Sequence, residues 1–73
     1  MNRDDAKVIA AHLEAAISQL SLALQEANVR LPSAALEQFR RSVGLHIGNL
    51  SFELLDPIYA EHPDLAPPGV LDR

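Results

Sequence analysis

Pro32 constrains this chain more than any other residue. It is the only proline among the first 56 residues, and apolar side chains recur at helical spacing on both sides of it. Proline has no amide proton to donate and disfavours helix at the residue before it, so a first helix must end by Leu31. Proline also suits the first turn of a new helix, with Ser33 as a candidate cap. A break confined to about residues 29–33 makes the two helices antiparallel neighbours.

The first helix is predicted from about residue 4 to 28. Asn2 or Asp4 caps it, and Asp4 and Asp5 suit the positive end of its dipole. Ile9, Leu13, Ile17, Leu20, Leu24 and Leu31 recur at three, four or seven residues, and Ala6, Ala10, Ala16, Ala23 and Ala27 fill the same side. Lys7, Glu14, Ser18, Ser21 and Gln25 lie opposite. Small side chains at near-heptad spacing favour a close neighbour crossing at about 20°. Val8 and Leu22 fall off the stripe and read as isolated surface residues without functional weight.

The second helix, about residues 33–55, divides into three arcs at 100° per residue. Leu36, Phe39, Val43, Ile47, Leu50 and Leu54 form a face for the first helix. Gln38, Ser42, Asn49, Glu53 and Asp56, with His46 at the border, form a solvated face. The third arc holds Gly44, Leu45, Gly48, Ser51, Phe52 and Leu55, an apolar face that one helical neighbour leaves without a partner. Two glycines inside a helix cost about 1 kcal/mol each relative to alanine. Close approach of another backbone would offset that cost, so these six residues are the candidate interface. The Ser42–Phe52 stretch is free of formal charge apart from His46, and so is Ala15–Gln25 in the first helix, beside which it would lie. A hairpin with an uncharged waist is expected where a second copy encloses the waist.

Asp56-Pro57 reads as another helix start, giving a short helical turn over about 57–62. Pro63, Pro67, Pro68 and Gly69 then forbid regular structure. Leu65, Val70 and Leu71 are apolar enough to dock, which makes the tail the rival occupant of the glycine groove. The expected architecture is all-α: an antiparallel helical hairpin over 1–62 with a short C-terminal helical turn and a Pro-rich tail over 63–73, dimerising into a four-helix bundle.

The chain has 73 residues, no cysteine and three aromatic residues, so its core is aliphatic and has no disulfide to support it. Chains of this size gain stability from helix packing or from association. A formal charge of −4, with only Arg40 and Arg41 adjacent among the basic residues, argues against nucleic-acid binding. The acidic start lacks the basic lead of a secretory signal. No uninterrupted apolar run approaches the roughly 20 residues of a membrane span. These features favour a cytoplasmic protein without a membrane partner.

No catalytic motif, phosphate loop or metal-ligand spacing occurs, so neither an enzyme nor a cofactor or metal site is expected. His46, Asn49 and Glu53 share a helical face and are the candidate ligand-binding group. His62-Pro63-Asp64 is a second polar cluster, read as a capped turn. The expected function is a small acidic protein–protein interaction or regulatory module, working as a homodimer or higher homo-oligomer and presenting its remaining surface to a protein partner. The alternative is a helical bundle that binds a ligand or metal through His46, Asn49 and Glu53.

Overall fold

A computed structural model describes residues 1–67. Among these the chain is all helical, with no strand. Helix α1 spans Arg3–Arg30 and helix α2 spans Ser33–Leu50; a π-helical turn at Ser51–Leu55 leads directly into α3 at Asp56–Glu61, and a 3-10 turn follows at Pro63–Leu65. The 28 residues of α1 extend about 42 Å. That length nearly accounts for the longest dimension of the 45 × 23 × 19 Å molecule.

The start of α1 is capped by Asn2, whose Oδ1 accepts the Asp5 amide at 2.8 Å. Its end falls at Pro32, as the missing amide requires, and the break is only Leu31 and Pro32. Ser33 does not cap α2: it is the first helical residue, and no side chain caps that end.

Contacts at both ends show that the chain returns on itself in a hairpin-like arrangement. Arg40 donates to Asn28 near the turn, and Tyr59 donates to Glu14 at the other end. Ala15–Gln25 therefore runs alongside Ser42–Phe52. The buried positions of α1 are Ala6, Ala10 and Ala27, with Leu13, Ile17, Leu20 and Leu24 half-buried between them. Together these follow a heptad spacing of alternating four- and three-residue steps. Ile9 and Leu31, expected on that seam, are exposed.

The second helix departs from expectation at its end. Leu36, Phe39, Val43, Ile47 and Leu50 face inward, but the next inward residue is Leu55 rather than Leu54. Leu54 is 50% exposed and Leu55 only 3%. The π turn is the cause. The Asp56 amide bonds to the Ser51 carbonyl, five residues back, which inserts one residue and rotates everything after it. Pro57 gives the turn a physical origin: it cannot donate to the Glu53 carbonyl, and its ring would crowd that carbonyl in a regular helix. Asp56-Pro57 thus continues the helical path with altered phase, and Asp56 makes no side-chain cap.

That rotation places Leu55, Ile58 and Tyr59 against Ala6 and Ala10, with Leu13, Ile17, Leu50, Leu65 and Ala66 packed around them. This is the core cluster, and it lies at the N-terminal end of α1. The tail as far as Ala66 docks there. Val70 and Leu71, the other apolar tail residues expected to dock, lie outside the described residues.

Candidate interaction surface

The two ends of the hairpin hold the charges. Arg30 pairs with Glu26, and Arg40 and Arg41 pair with Glu37, near the turn. At the opposite end the N-terminal ammonium meets Glu61 at 3.1 Å, and Arg3 meets Asp64 at 2.6 Å. His62 donates from Nε2 to the Met1 carbonyl at 3.0 Å, so the His62-Pro63-Asp64 cluster serves as a clasp between tail and N-terminus. The ammonium hydrogen bond holds the Glu61 carboxyl below its ordinary range. The Arg3 hydrogen bond does the same for Asp64.

Beneath this clasp, the buried Tyr59 hydroxyl donates to Glu14 Oε2 at 2.5 Å. Burial first, and then the neighbouring carboxylate, push the Tyr59 phenol well above its ordinary value. Glu14, placed by helical period on the solvated side of α1, is half-buried and works as the acceptor for this phenol.

Between the ends lies the uncharged waist, and no described residue covers its outer side on α2. A Cβ added at Gly44 or at Gly48 would meet nothing within 4 Å. Neither glycine adopts a left-handed conformation, so the backbone does not require glycine at these positions. Leu45 is 62% exposed and Phe52 75%. Ser51 is half-buried at the edge of this face. Leu55, expected on the same arc, is carried into the core by the π turn. The described part of the tail packs at the far end and leaves the glycines uncovered.

A second exposed apolar row runs along α1. Val8, Leu22 and Val29 are all exposed on α1, and with Ala15 they are spaced by sevens on the side away from the seam. The regular spacing, not the hydrophobicity of any one residue, is the signal. By length and composition α1 is also apolar enough to cross a membrane, a property shared by core helices of soluble proteins and by N-terminal leaders.

His46 and Asn49 on α2 and Glu53 in the π turn are all exposed. His46 Nδ1 lies 2.7 Å from the Ser42 carbonyl, which can only accept, so Nδ1 carries the proton and Nε2 is left as the acceptor of the neutral ring. Glu53 falls within the π turn, which alters the helical phase that would align it with His46. Among the described residues no three His, Cys, Asp or Glu side chains gather as a metal group. An open depression near the turn is lined by Leu31, Ala35, Gln38, Phe39 and Ser42, none of them with an ionisable side chain.

No protein-family model matches the chain, and neither a curated protein nor a solved structure matches it.

Proposed function

We propose that the chain is a protein–protein interaction or regulatory module that acts as a homodimer, two hairpins joining into a four-helix bundle across the Gly44/Gly48 face of α2. The observation that supports this reading is the imbalance between core and surface. Among the described residues only seven side chains are buried, three of them alanine, while nine large apolar residues are exposed. The chain exposes 5300 Å² of accessible surface. A compact monomer of 8.0 kDa exposes about 4450 Å². The excess of about 850 Å² is close to the roughly 800 Å² that each partner buries in a standard interface. In this reading the dimer is a cytoplasmic, non-enzymatic scaffold, and the α1 row of Val8, Leu22 and Val29 faces a protein partner.

The test is a double substitution, Gly44→Leu with Gly48→Leu. The open space above both glycines lets the isolated hairpin accept the larger side chains. Sedimentation equilibrium should then show loss of the dimer, with the helical circular dichroism retained. An unchanged mass and melting temperature would refute association through this face.

A ligand- or metal-binding role for His46, Asn49 and Glu53 draws support from the exposed Nε2 acceptor of His46. It predicts a rise in melting temperature with a divalent metal, abolished in His46→Ala. No rise across a metal panel would remove it.

A further inference from the structure

We infer that the occupant of the glycine face is the same face of a second copy, running antiparallel with its two-fold axis at Gly48. The inference rests on the proposed homodimer and fixes its orientation and register.

In an antiparallel pair centred on residue 48, residues equally far before and after it face each other across the axis. Gly44 of one copy then meets Phe52 of the other. Gly44 has empty space where a side chain would stand, and Phe52 has a large ring in solvent. Each supplies what the other lacks, and the two-fold axis makes the match twice. Gly48 crosses its own counterpart, so the backbones approach closely where no side chain intervenes.

Going along α2 and the π turn that follows it, the basic residues Arg40 and Arg41 come four and three residues before Gly44; the acids Glu53, in the π turn, and Asp56, at the start of α3, follow Phe52 by one and four. Antiparallel pairing about Gly48 brings the basic end of each copy to the acidic end of the other. Parallel pairing would set like charge against like. Arg41 is available for this role: its side chain is 80% exposed and meets its own Glu37 only at 4.0 Å. Glu53 is exposed and has no ion pair among the described residues.

Charge reversal tests the register. Arg41 stands seven residues before Gly48 and Glu53 five after it, so across the axis they are about 3 Å apart along the helix, within side-chain reach. Arg41→Glu alone and Glu53→Arg alone should each weaken the homodimer about tenfold, because each makes two symmetric repulsions. Mixing the two variants should restore association as a heterodimer, since both contacts then pair opposite charges. The double variant Arg41→Glu/Glu53→Arg should likewise regain its homodimer. Dissociation constants come from sedimentation equilibrium at low salt, with circular dichroism confirming that each variant is folded. A wild-type dimer whose variants gain nothing on mixing, or are unaffected singly, overturns the antiparallel register and leaves the homodimer standing. A monomeric wild type overturns both.

Discussion

The two ends of the Ala15–Gln25/Ser42–Phe52 waist have opposite fates. Beyond one end, Leu55, Ile58 and Tyr59 fold onto Ala6 and Ala10, and a clasp of Glu61, His62 and Asp64 closes over them. Along the waist itself, Gly44, Leu45, Gly48 and Phe52 face outward, uncovered by any described residue. Both regions use small residues on a helix. At the closed end the chain's own tail covers the alanines of α1. At the waist the glycines of α2 have no such cover within the described residues. Small residues permit close approach, but only a segment of suitable phase and reach takes advantage of it. The π turn before Pro57 supplies that phase at one end, and in the proposed dimer a second copy supplies the cover for the waist.

The contrast is sharpest at adjacent leucines. Leu55→Ala, in the closed core, should lower unfolding free energy by about 2–4 kcal/mol in urea titration. Leu54→Ala should change it by less than about 0.5 kcal/mol. Equal effects would show that the helix continues without the π turn. Tyr59→Phe removes the hydrogen bond to Glu14 and should cost about 1 kcal/mol by the same measurement. An unchanged stability would mean that this bond contributes nothing to closing the end.

The glycines give a change of sign. With nothing within 4 Å of either Cβ position, Gly48→Ala should stabilise the dissociated hairpin by about 1 kcal/mol. In the dimer the added methyl meets the partner backbone, so the same substitution should weaken association. Melting temperatures at low and high protein concentration separate the two. A gain at both would argue that the waist is never covered.

Changes of pH address the closed end alone. Glu61 and Asp64 have lowered folded-state values, so their contribution is present above the ordinary carboxylate range and is lost as pH falls through the depressed values. Tyr59 has a raised value, so its contribution is complete below the ordinary phenol value of 10.0 and declines as pH rises beyond it. Thermal melts should therefore fall at both extremes. Tyr59→Phe should blunt the alkaline fall, and Arg3→Ala the acid one. The same falls in both variants would assign the pH dependence to other groups.

Much of this organisation was legible in the residues. Helical period gave the inward set of α2 as far as Leu50, Pro32 gave the break, and the cap was narrowed to Asn2 or Asp4, of which Asn2 serves. The phase after Leu50 was not legible, because a regular 100° step puts Leu54 inside and Leu55 outside. Pro57 carried the warning, but it reads equally as a helix start, and the choice depends on whether the preceding turn can widen. Glu14 was misplaced for a related reason: its partner Tyr59 arrives from 45 residues away, a contact that local period does not encode. Val8 and Leu22 looked incidental until Val29 and their common side made them a row. The bare face at Gly44 and Gly48 was visible from the outset, since a charge-free apolar arc with two interior glycines needs no tertiary contact to be noticed. The register shift sharpens that arc by removing Leu55 from it and leaving Phe52 as its prominent side chain.

The central claim is that a second copy covers this face, and sedimentation equilibrium of the unmodified chain over a wide concentration range tests it most directly. The account predicts a mass of twice 8.0 kDa that gives way to the single-chain mass on dilution. A mass of 8.0 kDa persisting at the highest concentration would contradict it.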